Sequence, residues 1–539
     1  MSKPSITQTF ARSGWKRVAL VSLFLLTLFV LSISLSPVDS NVALAQGSTG
    51  ACDLLDEPAV RGLMSGMFET HLLIQCGRGD ELGKGANEPV APGPSNPQVG
   101  VDVMVNATGE TGPNTTQSET SLARNEDTGT LCSGFNDGYS GIVLGEGYTG
   151  FSRSIDDGAT WDDRGHFGGS SFGDPSMFWR RADGLFYIAT LHSNGLALYQ
   201  STDECQTFQF LSNPSTSGGA DKELIAIDND PASPFYGRFY LAQTDFGAGA
   251  QISFTYSDDG ISWAGAQLLS GSGIDVQGAW PTVAPNGDLY IGWVRWNPYP
   301  SGPIDIEIVR STDGGETFAF VSNPLTGAVN PRDNAATNFC GRPALNGNIR
   351  YLPSPQVAVS PNGDLHVVYS YDPDGFNTGD VVNVYYRRST DDGATWGPEI
   401  LLNDDGTTTD QFFPTLSTGP GGRIVTTWYD RRLDEADNYL FDYFMRVSND
   451  GGDSFEDSLR VSDVSSPVYI DPGLASCYHG DYDQQLQDAG YAYIQWSDDR
   501  NVTSGHPDPD VWFDKHAFFP DFTLEAEPET LDVCAPEDA

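Results

Sequence analysis

Charged and hydroxyl-bearing residues stand immediately before several apolar runs of this sequence. Asp221 and Lys222 precede one run, and Asp481 and Tyr482 precede another. A carboxylate, an ammonium group and a phenol at one mouth of a fold could hold an acidic or hydroxyl-rich ligand. If the runs are strands around a common axis, these residues are predicted to share one axial face.

A second polar group follows the apolar runs. Asp430 and Arg432 come after one run and Arg500 comes after the next. Their order along the chain predicts the opposite axial end, unless long loops fold back. Guanidinium groups bind carboxylates with two parallel hydrogen bonds, which favours a role in binding an acidic ligand. The alternative is structural, with Asp and Arg at strand ends pairing between neighbouring units.

A short sequence motif, called the phrase below, recurs six times and indicates which structural elements position these residues. Its pattern is S-x-D-x-G-x-[TS]-[WF]. Ser and Asp side chains accept hydrogen bonds from turn amides, and Gly adopts backbone angles that other residues resist. The pattern therefore predicts hairpin turns with a structural role, and it predicts that Trp161, Trp263 and Trp396 are buried. The copies occupy residues 154–161, 201–208, 256–263, 311–318, 389–396 and 448–455.

Seven turn-plus-strand units accompany these phrases, at 129–134, 183–189, 237–242, 285–293, 361–369, 421–428 and 490–496. Short apolar β-runs at this spacing predict an all-β fold, a β-propeller with four-stranded blades. Seven blades are favoured, with six as the alternative. The last unit is one strand short, and the alternating run 101–105 is predicted to complete it by pairing with 511–518.

The net charge limits the classes of molecule that the protein can bind. The chain of 539 residues carries 28 basic and 73 acidic residues, a net charge of −45. Nucleic acid and anionic membranes require a basic surface, so both are excluded as partners. The acidity favours solubility outside the cell. No cofactor is required by any pattern, although pairs such as Asp404-Asp405 and Asp498-Asp499 offer oxygen ligands for Ca²⁺. Scattered histidines show no metal-ligand spacing.

The N-terminus predicts export. Basic residues lead into the apolar run 18–35, and Ala43-Leu-Ala45 offers a cleavage site after Ala45, so residues 1–45 form a signal peptide. An uncleaved anchor is the alternative. The expected location is therefore secreted or at the cell surface, where disulfides form. A local bridge between Cys52 and Cys76 is predicted, while Cys534 is the expected odd member of the seven cysteines.

The remaining domain boundaries are predicted from changes in amino-acid composition along the chain. Residues 46–98 contain a predicted amphipathic helix at 57–73 and a Gly/Pro-rich linker, and residues 99–519 form the propeller. Residues 520–539 read as the first strand of an Ig-like accessory domain, or as a tail. A monomer is expected.

The six phrases resemble the Asp box of the sialidase superfamily, also called the BNR repeat. With Gln117-Ser-Glu119-Thr-Ser121, Trp428-Tyr-Asp430-Arg431-Arg432 and Gly480-Asp481-Tyr482, the chain is similar to exported sialidase-like proteins from residue 117 to about 518. That resemblance implies three arginines that clamp a substrate carboxylate, a Tyr nucleophile helped by a Glu, and an Asp acid/base. The family's Arg-Ile-Pro motif is missing; the nearest match is Gly341-Arg342-Pro343.

On this resemblance Tyr482 is the predicted nucleophile, with Glu119 or Glu223 as its base and Asp481 beside it. Substrate contacts are predicted from Asp221, Lys222, Arg342, Asp430, Arg432 and Arg500. The implied function is a secreted protein that acts on or binds extracellular glycans or glycoproteins, with sialidase-type glycoside hydrolysis as its activity. The alternative is a non-catalytic propeller for glycan binding, adhesion or cell-surface architecture.

Overall fold

Apolar runs separated by Gly and Asp turns fold into antiparallel sheets arranged around an axis. The computed structural model describes residues 50–518, except 86–89, 97–98, 108–109, 111–113, 274, 301, 331–339, 375–381 and 504. The predicted signal peptide, the tail 520–539 and Cys534 lie outside the described residues. Within the described part of the chain, no helix has the length and apolarity needed to cross a membrane.

The described strands form seven four-stranded blades, so the prediction of seven rather than six is confirmed. The strand that precedes blade 1 is β1 (Val103–Met104). Blade 1 consists of β2 (Gln117–Arg124), β3 (Leu131–Asp137), β4 (Thr149–Ser154) and β5 (Asp162–His166). Blade 2 consists of β6 (Ser176–Arg180), β7 (Leu185–His192), β8 (Gly195–Ser201) and β9 (Gln209–Ser212). Blade 3 consists of β10 (Ala220–Ile227), β11 (Phe239–Asp245), β12 (Gln251–Ser257) and β13 (Gln267–Leu268).

The other four blades repeat this order, and the first strand of each blade lies next to the axis. Blade 4 consists of β14 (Val276–Val283), β15 (Leu289–Trp296), β16 (Ile304–Ser311) and β17 (Ala319–Ala328). A separate hairpin follows, β18 (Ala344–Leu345) with β19 (Ile349–Arg350). Blade 5 consists of β20 (Gln356–Val359), β21 (Leu365–Tyr371), β22 (Asn383–Ser389) and β23 (Ile400–Leu401). Blade 6 consists of β24 (Gln411–Thr418), β25 (Ile424–Asp430), β26 (Asp442–Ser448) and β27 (Leu459–Arg460). Blade 7 combines β28 (Gln485–Gln487), β29 (Tyr491–Thr503) and β30 (His506–Ala517) with β1.

The ring is closed by strands from its two ends, as predicted. Val103 of β1 pairs with Phe513 of β30, so the N-terminal run supplies the outer strand of blade 7. A side-chain pair secures the junction, because Asn106 Nδ2 donates to Asp510 Oδ1 at 2.7 Å. Apolar residues of blades 1 and 7 share one core cluster at this seam. The closure therefore joins the missing strand to the last blade.

The six repeated phrases, which resemble the Asp box, lie on the hairpins between the third and fourth strands of six blades. In the fifth copy, Asp391 Oδ1 accepts from Thr395 N at 2.8 Å, and Ser389 Oγ accepts from Gly393 N at 2.9 Å. In the third copy the acceptor is Asp259, which lies one residue after Asp258, the aspartate that the pattern selects. These bonds confirm the turn geometry within the described residues.

The box tryptophans are only partly buried, so the prediction of buried Trp161, Trp263 and Trp396 is wrong. The physical reason is that two of the indole nitrogens reach a neighbouring outer strand. Trp263 Nε1 donates to Ser212 Oγ at 3.0 Å, and Trp396 Nε1 donates to Ser322 Oγ at 2.8 Å. The rings of Trp263 and Trp396 thereby lie at the outer edge between two blades, where they stay partly exposed.

Residues 50–85 form a separate helical element, here called the N-terminal cap. It contains α1 (Pro58–Leu63), α2 (Gly66–Gln75) and the 3₁₀ turns Ala51–Asp56 and Gly79–Glu81. The single helix predicted at 57–73 is broken, because Ser65 is extended and its Oγ caps α2 by accepting from Phe68 N at 3.1 Å. The predicted Cys52–Cys76 disulfide is present. Buried apolar side chains attach the cap to the propeller core: Leu54, Leu55, Val60, Leu63, Met64, Met67, Phe68, Leu72 and Leu73.

Two further disulfides link distant parts of the ring. Cys132 pairs with Cys205 between blades 1 and 2. Cys340 pairs with Cys477 and joins the segment before the β18–β19 hairpin to the segment before blade 7. The second bridge lies beside the cap, since Cys477 N donates to Lys84 O at 2.9 Å. The hairpin, the segment before blade 7 and the cap are thus connected over one axial face.

Candidate functional site

The inner strands carry a repeated irregularity at the axial face. The pairing of β2 with β3 shifts between Ser118 and Ser121, and the pairing of β10 with β11 shifts between Asp221 and Leu224. At these bulges Glu119 (φ 52°) and Lys222 (φ 51°) adopt left-handed backbone conformations. Such conformations cost about 1–3 kcal/mol for residues other than Gly and cluster at functional sites.

Asp174, just before β6, shares this left-handed conformation with φ 52°. Blade 2 therefore presents an aspartate where blades 1 and 3 present Glu119 and Lys222. The three residues lie close together, since Lys222 and Asp174 both act on the Glu119 carboxyl. All three side chains are buried. This group, with the residues that contact it, is called the axial cluster below.

Basic side chains surround Asp481 in the axial cluster. The Arg342 guanidinium donates to Asp481 Oδ1, and Lys222 Nζ lies 3.8 Å from Asp481 Oδ2. Both side-chain pairs are almost fully buried. Burial opposes the charged form of Asp481, but Arg342 and Lys222 outweigh it and lower the pKa of this carboxyl. Asp481 is therefore ionised and held by two cations.

The other carboxyls of the cluster behave in the opposite way. Burial raises the pKa of Glu119, against the attraction of Lys222. Burial also raises the pKa values of Asp174 and Glu223 well above the ordinary range, with further repulsion from neighbouring carboxyls. In the described residues, Lys222 Nζ and two guanidinium nitrogens of Arg342 have no hydrogen-bond partner, and the Glu223 oxygens find none in another residue. Buried polar groups in proteins are normally paired, so these exceptions mark a site.

Tyr482 lies within this cluster. Its hydroxyl donates to Pro175 O at 3.1 Å, and burial followed by Glu119 raises its pKa well above the usual range. Tyr478 is a second buried phenol, whose hydroxyl lies 2.9 Å from Ser118 Oγ. The structure thus brings the predicted Tyr482 together with Glu119, Glu223, Asp481, Lys222 and Arg342.

Asp221 also belongs to this face, where it contacts the cap. Its Oδ2 accepts from Ser65 N at 2.8 Å and from Gln277 Nε2 at 3.0 Å. Burial raises its pKa, although the bond from Ser65 works against that shift. The predicted ligand contact at Asp221 is therefore occupied by the chain itself.

Asp430, Arg432 and Arg500 are not brought into the axial cluster. Asp430 Oδ2 accepts from Arg432 Nη2 at 2.7 Å, and Arg432 also pairs with Asp404 at 2.8 Å. Arg500 Nε donates to Asp498 Oδ1 at 2.8 Å, and its guanidinium covers the Trp512 ring. These pairs lie within one blade or its loops.

The second group was expected at the axial end opposite Asp221 and Lys222, and this prediction is wrong. Asp430 at the end of β25 pairs with Gln411 at the start of β24. Adjacent antiparallel strands bring the end of one to the start of the next, so the aspartate lies at the same axial face as the starts of the inner strands. The prediction treated the run that precedes Asp430 and the run that follows Asp221 as equivalent strands, whereas they are the second strand of blade 6 and the first strand of blade 3.

Three residues of the site were not predicted. Asp174 follows Gly173, which has a positive φ, and its position before β6 matches that of Glu119 in β2. Arg350 is fully buried at the end of the β18–β19 hairpin, and Glu69 reaches it from the cap. An alignment of the seven units on their first strands could have revealed Asp174, whereas no local pattern indicates the contact between Glu69 and Arg350.

The aspartate pairs considered for Ca²⁺ have protein partners. Asp498 accepts from Arg500, and Asp499 lies 2.9 Å from His479 Nε2. Asp404 accepts from Ser458 N at 2.8 Å. Within the described ranges, no group of three or more His, Cys, Asp or Glu side chains is arranged to hold a metal ion.

Comparison with solved structures finds several chains with a similar fold. The chain is similar to the phage phi92 endosialidase, with a TM-score of 0.44 and 11% identity over 79% of this chain and 70% of that chain. It is similar to a Hadza microbial sialidase, with a TM-score of 0.38 and 15% identity over 75% and 66%. It is also similar to a protein of unknown function from Dyadobacter fermentans, with a TM-score of 0.42 and 14% identity over 78% and 99%. At these identities and TM-scores the likeness concerns the fold alone. No family model matches the chain, and no curated protein matches it.

Proposed function

We propose that this protein is an exported glycoside hydrolase of sialidase type that acts on extracellular glycans carrying a carboxylate. One observation carries the proposal: the axial cluster joins a phenol, several carboxyls and three basic side chains at the bulged ends of the inner strands. Tyr482, Glu119 and Arg342 represent these three kinds of group. Because the comparisons are limited to the fold, the proposal depends on the chemistry of this cluster.

The cluster contains groups suited to each step of glycoside hydrolysis. Tyr482 would pass its proton to Glu119 and attack the anomeric carbon, while the glycosidic bond breaks. Asp174, whose pKa is raised, would supply the proton that the leaving oxygen takes up. Water would then cleave the tyrosyl glycoside and restore the phenol. A phenol suits this reaction because a carboxylate nucleophile would repel the acid group of the substrate.

The basic residues would bind that acid group. Arg342 and Lys222 face Asp481, and Arg350 lies in the same electrostatic environment, since it influences the Asp481 carboxyl. Guanidinium groups in a buried site bind carboxylates strongly because no water competes for them. The substrate class implied is therefore a glycan with a carboxylate, such as a sialic or uronic acid.

A second candidate is a glycan-binding propeller without catalysis. One observation favours it: the Tyr482 hydroxyl donates to Pro175 O, and the pKa of Tyr482 is raised, which opposes formation of a nucleophilic phenolate. In this alternative the same basic residues would hold an acidic sugar that is never cleaved.

A hydrolysis screen separates the two candidates. The full chain, both intact and after proteolytic cleavage of the segment that follows the N-terminal cap, is assayed with fluorogenic sialosides and uronides. The variant Tyr482→Phe and the control Tyr236→Phe, whose parent side chain is exposed, are assayed in the same way. Hydrolysis should fall about 10³-fold or more in Tyr482→Phe, as when one member of a catalytic unit is removed, and stay unchanged in Tyr236→Phe. Hydrolysis that survives in Tyr482→Phe contradicts the proposed nucleophile. Binding of the free acidic sugar without any turnover supports the alternative.

A further inference from the structure

We propose that the N-terminal cap is an intrachain inhibitor of the axial cluster, and that the Glu69 carboxylate occupies the place at Arg350 where the acid group of a ligand binds. This inference rests on the proposed function, because it concerns the regulation of the same site. Removal of the cap would open the cluster to an acidic glycan.

Glu69 contacts the propeller as a bound carboxylate would. Arg350 Nη1 donates to Glu69 Oε2 at 2.6 Å, and Arg350 Nη2 donates to Met64 O at 3.1 Å. Arg61 of the cap holds the other oxygen, with Nε 2.8 Å from Glu69 Oε1. Arg350 is fully buried and Glu69 nearly so. Two oxygen acceptors from the cap therefore take the donors that an acidic ligand would require.

The turn between α1 and α2 also lies on the cluster. Ser65 N donates to Asp221 Oδ2 at 2.8 Å, and Leu63 O accepts from Gln277 Nε2 at 3.0 Å. A Cβ placed on Gly66 would meet Tyr478 Cδ2 at 1.8 Å, and one on Gly62 would meet Gly341 O at 2.3 Å. The backbone of the cap thus approaches the site so closely that a sugar could not bind at the same time.

Polar groups beneath the cap that lack a hydrogen bond from another described residue indicate that the cap is an inhibitor rather than a permanent part of the protein core. A core element is expected to satisfy the polar groups that it buries. Under the cap, Lys222 Nζ, Arg342 Nε and the Glu223 carboxylate oxygens remain without a hydrogen bond from another described residue. Lys222 also keeps a left-handed backbone conformation. These features indicate a site prepared for a ligand that the cap replaces only in part.

The disulfide pattern allows a single proteolytic cut to free the cap from the propeller. The Cys52–Cys76 bridge lies within the cap, and the described disulfides do not join the cap to a blade. Val90, just after the cap, is 40% exposed. Buried apolar side chains such as Leu63 and Phe68 would hold the cap in place until the chain is cut. Proteolysis after the cap, followed by competition from a ligand, is therefore the proposed route of activation.

The test uses the full chain with a protease recognition sequence inserted after Val90. After cutting, release of the cap fragment is followed by size exclusion in N-acetylneuraminate, in galacturonate and in neutral galactose at equal concentration. We expect the acidic sugars to speed release at least tenfold relative to galactose. Glu69→Gln should speed release at least tenfold without sugar, whereas Glu57→Gln, at an exposed cap position, should not.

The outcomes separate this inference from the proposed function. The inhibitor proposal is overturned if the cap is released equally fast in all three sugars and Glu69→Gln releases it no faster than Glu57→Gln. If Glu69→Gln does not fold, the comparison of the three sugars on the unsubstituted chain tests the proposal by itself. Release by acidic sugars without hydrolysis by the freed propeller supports the inhibitor and contradicts the hydrolase. Equal hydrolysis by the uncut and cut chains supports the hydrolase and contradicts the inhibitor.

Discussion

Lys222 Nζ lies 4.1 Å from the centre of the Tyr482 ring. The same ammonium group lies 3.8 Å from Asp481 Oδ2, so it contacts both the predicted nucleophile and the ionised carboxylate. A cation over an aromatic face is stabilised when both groups are desolvated, as they are here. Lys222, on β10 of blade 3, therefore links that blade to Asp481 and Tyr482, which precede β28 of blade 7.

Removing Lys222 should cost less stability than removing Arg342. Breaking a buried ion pair outright costs about 3–5 kcal/mol. In Lys222→Met, Asp481 keeps its pair with Arg342, whereas in Arg342→Met only the longer contact with Lys222 remains. Urea unfolding of both variants measures the difference. A Lys222→Met variant that is less stable than Arg342→Met would contradict the assigned pairing.

The Asp boxes should affect stability and leave the site intact. In Asp313→Ala the turn loses the bonds from Thr317 N at 2.9 Å and from Thr317 Oγ1 at 2.6 Å. We expect the free energy of unfolding to fall by about 1–2 kcal/mol, the usual cost of lost hydrogen bonds in an exposed turn. Calorimetry gives the stability, and titration of the propeller freed of its cap with an acidic sugar gives the affinity. Loss of affinity at an unchanged melting temperature would assign a binding role to the box.

Stability should fall as the pH rises from about 4 to about 7. Burial, with repulsion from Asp508, raises the pKa of Asp510 at the ring closure to about 7. A carboxyl whose pKa is raised on folding contributes stability below its ordinary pKa of 3.8, and that contribution is lost as the pH passes the folded value. Thermal unfolding between pH 4 and 8 measures this slope.

Asp510→Asn provides the control for that slope. Asn106 Nδ2 and Asn501 Nδ2 donate to the two oxygens of Asp510, so the amide should be less stable than the neutral carboxyl at about pH 4, and this difference should shrink as the pH rises. Its stability should nevertheless change less with pH, because one titrating group is gone. An unchanged slope in this variant would mean that other carboxyls dominate the pH dependence.

The Cys340–Cys477 bridge should control the position of Arg342 and Arg350. Disulfides typically contribute about 2–4 kcal/mol, and this one joins residues 137 positions apart. Replacing both cysteines by Ser should lower stability, and it should weaken the binding of acidic sugars to the propeller freed of its cap at least tenfold. The matched control replaces Cys132 and Cys205, which should lower stability alone. Binding losses of equal size in both variants would contradict a specific role for the bridge.

Local patterns predicted the parts of the fold that depend on neighbouring residues. The bonds between Ser389, Asp391 and Thr395 follow from spacing within one hairpin, and the pairing of Val103 with Phe513 follows from a blade that lacked one strand. The site could be predicted only in part. Tyr482 and Lys222 were found because they stand next to apolar runs.

The remainder of the site depends on contacts that no local pattern encodes. Asp174 could be found only by aligning the first strands of the blades, where its left-handed conformation matches that of Glu119 and Lys222, and the contact between Glu69 and Arg350 joins segments 281 residues apart. The axial end of Asp430 was mistaken because a single apolar run does not indicate which strand of a blade it forms. Only the register between β24 and β25 decides that question.

The pairing of β1 with β30 also fixes the order in which the molecule can be completed during synthesis. Asn106, just after β1, waits for its partner Asp510, which is made 404 residues later. Until then Leu122 and Phe135 of blade 1 lack the apolar neighbours Tyr493 and Phe513. A product that terminates early would expose this apolar surface and an open strand edge, the features that promote aggregation. Premature termination should therefore yield an aggregating chain rather than a smaller working protein.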